Sequence, residues 1–426
     1  MVLAGSAPAW VQAVGFEPVQ QIAVAARGTN LSRGASSLAA DTGEQFHLVY
    51  IARDLDKVYV RYTSRNAAPG DQWQEPITLR ANPREAGHPS IAVLPDGARF
   101  VAWHDYRHGT AAGNYIDNVE IYLAAAPANG GFGEEIRVTE TAAGHLGDNG
   151  YMPFPTASPD GSHIALVWYD FFYDGHISDL FGIVSSPGSF ASLLPVDLSA
   201  ARLTNLSDRG GAPPFVLPEA LLDDGGTMHV VFTSGFSDQV GDLFYLRREA
   251  GGRVSPVDLL ATAACSYFAP PHLARGPDGS IWLAWADRTQ GADQRTVKIA
   301  RLASEIPTLH NSIIVTPIGI DCTSPDLSLG SDGLIRVVWL EITRVGFFDT
   351  ESDVYYATVD PHTGEISQPS RLNEEGSGPG CPTIAVTPQG TVAVVWEQPS
   401  EDDPNVMQIM GTVRSNGGAV EEWVSW

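Results

Sequence analysis

Seven times along this chain a small-residue turn is followed, six or seven residues later, by an aromatic set in an apolar run. The aromatics are Tyr50, Trp103, Trp168, Phe232, Trp285, Trp339 and Trp396, spaced by 53, 65, 64, 53, 54 and 57 residues. The turns ahead of them include Asp96-Gly97, Asp160-Gly161, Asp278-Gly279, Asp332-Gly333 and Gln389-Gly390. A period of that size, with a hairpin turn in every copy, predicts a radial array of small antiparallel sheets. It overrides the division into two or three domains that 426 residues would otherwise invite.

The second copy displays one unit in full. Residues 89–93 read as a first strand, Pro95-Asp96-Gly97 as a turn, and 98–104 as a second strand carrying Trp103. A long polar loop leads to a third strand at 119–124 and a fourth at 134–139. Four meandering strands make a propeller blade. The aromatic recurs because neighbouring blades pack face to face and a large flat side chain fills the space between them. With 43 Gly and 30 Pro punctuating the chain, no long amphipathic run survives.

The expected fold is therefore all-β: a single seven-bladed β-propeller of four-stranded antiparallel blades over residues 17–426, with 1–16 as an N-terminal extension. The segment Pro18 to Val24 resembles the fourth strands of other copies yet precedes the first complete one, so it is expected to close the last blade. Val420 to Trp426 competes for the same slot.

The net charge of -25, from 50 acidic against 25 basic residues, argues against nucleic acid or another polyanion as partner, since these need a cationic track. No run of about 18 apolar residues exists, so no membrane span is expected. Ala7-Pro8-Ala9 resembles the tail of a signal-peptide cleavage site, although the apolar segment ahead of it is short.

In a propeller the loops joining second to third strands share one face with the connections between blades. Here those loops open on acids: Asp105, Asp170, Asp287, Glu341 and, after Trp396, Glu397. They continue with Tyr106, Arg107 and His108 in the second copy, Tyr173 and His176 in the third, Arg288 in the fifth and Arg344 in the sixth. Converging carboxylates, guanidinium groups and aromatic rings suit a sugar, with rings against its C–H surface and charged groups on its hydroxyls. The plainer reading is that each acid ties its own loop to the backbone. A second recurring polar position, Asn118, Asp179, Asp242, Thr296, Asp353 and Asn405, reads as turn capping.

No cofactor is implied. Calcium through oxygen ligands stays open in the carboxylate-rich loops, although no spacing matches a known cation loop. Cys265, Cys322 and Cys381 all precede first strands, which sets them near the channel mouth of consecutive blades. Free thiols, a Cys322–Cys381 disulfide in an oxidising compartment, and a three-thiolate metal site are the alternatives.

The phrases Arg371-Leu372-Asn373-Glu374-Glu375, Cys381-Pro382-Thr383-Ile384-Ala385-Val386 and Ser352-Asp353-Val354-Tyr355-Tyr356-Ala357 resemble secreted bacterial sialidase-like propellers with BNR-type repeats. The resemblance extends over almost the whole chain and implies a propeller, an extracytoplasmic setting and a glycan-rich context. The chain has no Arg-Ile-Pro near its start, and it lacks the Ser-x-Asp-x-Gly-x-x-Trp box in standard form. No catalytic residue is carried over.

The leading expectation is a secreted or extracytoplasmic carbohydrate-recognition or scaffold propeller that binds a glycan on its long-loop face. One alternative is a polysaccharide-cleaving enzyme. Hydrolysis would draw on Asp105, Asp170, Asp287 and Glu341 as acid and base. Elimination would use His104, His108 or His176 as base beside Tyr106 or Tyr173, with Arg107 or Arg288 on a uronate carboxylate. The other alternative is a purely protein-binding or structural propeller, which the same fold serves equally well.

Overall fold

The computed structural model describes residues 15–31, 36–108, 118–140, 149–171, 179–204, 218–234, 241–262, 270–288, 294–303, 305, 307–317, 319–344, 350–416 and 423–424. These form seven antiparallel sheets arranged as the blades of a propeller. The innermost strands are Leu38–Ala40, Ala86–Val93, Asn149–Ala157, Glu219–Leu222, His272–Arg275, Asp321–Leu329 and Gly380–Val386. Each pairs with the strand that carries one of the seven aromatics. The turn between them is built by its own side chains: in blade two Asp96 Oδ1 accepts the Ala98 N–H at 2.9 Å. Gly97, at φ 85°, then takes a conformation that a Cβ would oppose.

The apolar residues gather into seven cores rather than one, and each core lies between two successive blades. Val49 and Ile51 of blade one pack with Val101 and Trp103 of blade two. Trp168, Phe232, Trp285, Trp339 and Trp396 take the same place at the next five interfaces. Tyr50 packs against Val395 and Ala393 of blade seven, which closes the circle. None of the seven aromatics is more than 3% exposed. Several stack on a second ring from the third strand of their own blade, as Trp103 does on Tyr122, Trp168 on Phe181 and Trp339 on Tyr355. The sheet offers that position because cross-strand neighbours on one face lie within reach of each other.

Ring closure falls to the N-terminal side of the chain. Gln20–Ala23 pairs antiparallel with Met407–Arg414 as the outermost strand of blade seven. Glu17 adds its N–H to the Val413 carbonyl at 2.7 Å, and its own carbonyl accepts from Thr412 Oγ1 at 2.6 Å. The rival segment does not enter that slot: Trp423–Val424 pairs with Ile366–Ser367 at the edge of blade six. In blade three the outer position is held by the chain around Leu203, whose N–H bonds the Leu180 carbonyl at 2.7 Å, beside a short helix at Leu198–Ala201.

Because Trp285 fills an interface rather than a surface, Trp285→Ala is expected to cost about 3–5 kcal/mol in equilibrium denaturation. A melt unchanged within error would show that the indole bears no inter-blade contact.

Candidate functional site

Four of the innermost strands share a local irregularity. In blades two, three, six and seven the pairing register slips once, between Gly87 and Ser90, Tyr151 and Phe154, Thr323 and Asp326, and Gly380 and Thr383. At each slip a residue followed by proline takes a positive φ of 47–49°: His88, Met152, Ser324 and Cys381. Non-glycine residues avoid this region, and bulges of this kind commonly re-aim a side chain beside a site.

In blade two the bulge borders a cavity of about 270 Å³ lined by Arg53, Glu85, Gly87, His88, His104 and Tyr106. The His104 ring centroid lies 5.1 Å from that of His88, 5.4 Å from Tyr106 and 5.2 Å from Tyr151 of blade three. Gly87 permits this closeness, since a Cβ there would sit 2.6 Å from His104 Nε2. His104 is 4% exposed, and its Nδ1 accepts the Met152 N–H at 3.3 Å. Burial, helped by the charge of His88, holds the ring well below the usual histidine range, so it is neutral at pH 7. With Nδ1 occupied as an acceptor, the remaining proton sits on Nε2. His104 is thus a hydrogen-bond donor towards the cavity, not the base that its sequence context invites. Arg53 contributes Nε and Nη2, each 3.3 Å from Glu85 Oε2.

Asp105 and Arg107 stand beside this cavity but are turned away from it. Asp105 is fully buried. Arg80, on the outer strand of blade one, grips it through Nε at 2.8 Å and Nη2 at 3.1 Å, and Arg107 Nη2 approaches at 2.6 Å. Arg107 also pairs with Glu135 and lies 4.1 Å over the Tyr122 ring. Burial pushes the Asp105 carboxyl upward, but the Arg107 hydrogen bond and the charges of Arg80 and Arg107 outweigh it and hold the group below the usual carboxylate range. A carboxylate so engaged serves as an anchor, not as a general acid. His108 is likewise diverted: its Nε2 meets the Tyr122 hydroxyl and its ring stacks on that phenol. Of the run from Tyr106 to His108, Tyr106 alone lines the cavity.

The other expected residues do not converge with it. Asp170 is buried, with Asp179 as its cross-strand partner. Asp287 is paired with Lys298, and Arg288 is exposed at the end of its strand. Arg344 ends the second strand of blade six, its backbone paired with Thr350. Tyr173, His176 and Cys265 lie outside the described residues. Cys322 and Cys381 are both free thiols, so the disulfide reading is corrected. Cys322 is buried, which pushes its thiol up to about 12. Among the described residues no group of three His, Cys, Asp or Glu is placed to hold a metal ion.

Glu341 differs from the other acids. It lines a second cavity of about 460 Å³ with Gln294, Asp321 and Thr343, on the same long-loop face in blade six. Burial and the neighbouring Asp353 raise its carboxyl above the usual value, against the opposing charge of Arg371. Asp353 is its cross-strand partner.

Two devices account for several of the described polar groups on this face. In blades two and seven the residue two after the aromatic accepts its indole N–H, whereas the indole N–H groups of Trp168, Trp285 and Trp339 have no such partner. Trp103 Nε1 donates to Asp105 at 3.3 Å, and Trp396 Nε1 donates to Gln398 at 3.2 Å. The seventh member of the series is therefore Gln398; Glu397 instead accepts the Leu31 N–H across the closing interface. The polar residue opening the third strand is clamped from the fourth by an Arg-x-Thr or Arg-x-Asn motif. Arg137 and Thr139 hold Glu120, Arg202 and Thr204 hold Asp179, and Asn373 with Arg371 holds Asp353. In blade two the aligned residue is Glu120 rather than Asn118. Its function is inter-strand clamping more than turn capping.

No family model matches the chain, and a search of curated proteins finds no match. Solved structures with a similar fold include a fungal alcohol oxidase of the AA5 family in complex with copper, at TM-score 0.55 and 11% identity over 95% of this chain and 76% of that one. They also include the NanB sialidase from Streptococcus pneumoniae, at TM-score 0.49 and 13% identity over 93% of this chain and 70% of that one. A protein of unknown function from Dyadobacter fermentans aligns at TM-score 0.44 and 14% identity over 78% of this chain and 95% of that one. At such identities the likeness concerns the fold.

Asp105→Asn would leave Arg80 buried without its counter-charge and Arg107 with Glu135 alone, and a loss of about 3–5 kcal/mol is expected in urea denaturation. The depressed carboxyl contributes stability that is complete above its unfolded pKa near 3.8 and is lost as pH falls through the lower folded value. The difference between wild type and variant should therefore shrink on acidification below pH 4. A difference that stays constant from pH 7 to pH 2 would remove the ion-pair account.

Proposed function

We propose that the protein is an extracytoplasmic carbohydrate-recognition propeller that seats a sugar unit in the cavity between His88, His104, Tyr106 and the Arg53–Glu85 pair. The observation behind this reading is the meeting of three kinds of group at one concave place. The imidazole and phenol rings offer flat faces to sugar C–H bonds. The Arg53–Glu85 pair offers charged donors and acceptors for hydroxyls. His104, 4% exposed, keeps a donor for the cavity through its fixed tautomer. A volume of about 270 Å³ suits a single sugar unit, with the chain running out over the long-loop face. The pairing of Arg53 with Glu85 leaves the pocket nearly neutral, which favours hydroxyl-rich units over strongly anionic ones.

Calorimetric titration with a panel of neutral and acidic oligosaccharides tests this. Saturable binding is expected, weakened roughly tenfold or more, about 1.4 kcal/mol, by Tyr106→Ala. Absence of heat with every oligosaccharide at millimolar concentration would count decisively against it and return the protein-binding alternative to first place.

A second reading, hydrolysis, is favoured by Glu341 specifically. Glycoside hydrolysis needs one carboxyl that holds a proton and one that is ionised. Asp105 and Asp287 are spent on ion pairs, whereas Glu341 has a raised carboxyl at a cavity and Asp353 across the strand. In this reading Glu341 protonates the leaving oxygen. Release of reducing ends from a polysaccharide panel is expected to fall at least about a hundredfold in Glu341→Gln. Activity untouched by that change would put the chemistry elsewhere.

A further inference from the structure

We propose that Glu219, His272 and Asp326 form a proton-dependent lock that ties blades four to seven together along the axis. These residues occupy equivalent positions on three successive innermost strands, each directly after a proline: Pro218, Pro271 and Pro325. His272 Nδ1 lies 3.0 Å from Glu219 Oε2 in blade four and 3.4 Å from Asp326 Oδ1 in blade six. Both carboxylates also reach forward to the next blade. Glu219 Oε1 accepts the Leu273 N–H at 2.7 Å, and Asp326 Oδ2 accepts the Ile384 N–H at 3.0 Å and the Thr383 hydroxyl at 2.9 Å. One continuous polar chain thus runs from blade four to blade seven, and His272 is its only link between blades five and six.

Two other seams, between blades one and two and between blades two and three, are tied by neutral groups. Ser37 donates to the Pro89 carbonyl at 3.4 Å and Ser90 to the Pro153 carbonyl at 2.6 Å. Neither link titrates. The lock differs because a single ring proton holds two carboxylates that would otherwise repel each other. The charged groups acting on His272 among the described residues are Glu219 from blade four and Asp326 from blade six, and the uncharged Ala284 stands opposite it within its own sheet. Burial alone would lower the imidazole's affinity for its proton, but the two carboxylates, Glu219 foremost, outweigh it and lift the ring to about 9. Glu219 itself is raised by its burial.

The sign follows from linkage. A histidine whose folded pKa exceeds its unfolded value of 6.5 contributes stability that is complete below pH 6.5 and lost as pH rises through about 9. Above that point the tie at His272 is lost and two unneutralised carboxylates remain beside it, while Arg295–Asp321 still joins blades five and six.

The test uses the full chain. Histidine-selective isotope labelling followed by NMR titration should place the midpoint of the His272 ring near pH 9, and Asp326→Asn should move it towards 6.5. A wild-type midpoint near 6.5 overturns the proposal. In parallel, the difference in thermal stability between wild type and His272→Gln should be present at pH 7 and gone by pH 10. A difference that persists unchanged at pH 10 overturns it equally. If His272→Gln does not fold, the wild-type and Asp326→Asn titrations decide the matter alone.

Discussion

A twisted four-stranded sheet has two faces to bury and cannot bury both against itself. In this chain each sheet buries them against its two neighbours, so every interface needs one wide filler and the last blade needs a partner as much as the first. The seven separate cores express that constraint directly, each with one of the recurring aromatics at less than 4% exposure. An open ring would leave Tyr50 and Val395 facing water. Recruiting Gln20–Ala23 to the outer edge of the last blade joins the two ends of the array, and the long-loop face is assembled only as a consequence.

The blade count and closure were legible because they rest on local chemistry that repeats: a turn with glycine at positive φ, then a fixed number of extended residues to an aromatic. The strand edges in the second blade fall within two or three residues of where the turns and apolar runs put them. The sequence was less clear about which terminus closes the ring, because both ends carry short extended segments and the choice depends on which edge each can reach in space.

The site was harder to read for a different reason. An acid at the end of a strand looks the same in sequence whether it faces a ligand or an arginine from the neighbouring blade. Asp105 is held by Arg80, 25 residues earlier in the preceding blade, and nothing local to Asp105 reveals that. The Arg-x-Thr and Arg-x-Asn phrases at Arg137, Arg202 and Arg371 were available as a signal, recurring late in their copies with no other evident purpose. So was the proline that follows His88, Met152, Ser324 and Cys381, whose meaning as a bulge emerges once the register slips are seen. His88, Arg53, Glu85 and Tyr151 escape sequence reasoning because they come from three blades and share no motif.

These devices divide the labour of the face. Among the described residues at this face several charges are spent internally, in pairs such as Arg80–Asp105, Arg202–Asp179 and Lys298–Asp287. The cavities beside His104 and beside Glu341 owe their polar lining to opposite causes. At His104 burial and a fixed tautomer leave a neutral donor; at Glu341 burial beside another acid leaves a carboxyl that favours its proton. At both, burial disfavours the charged form of the group that borders the cavity.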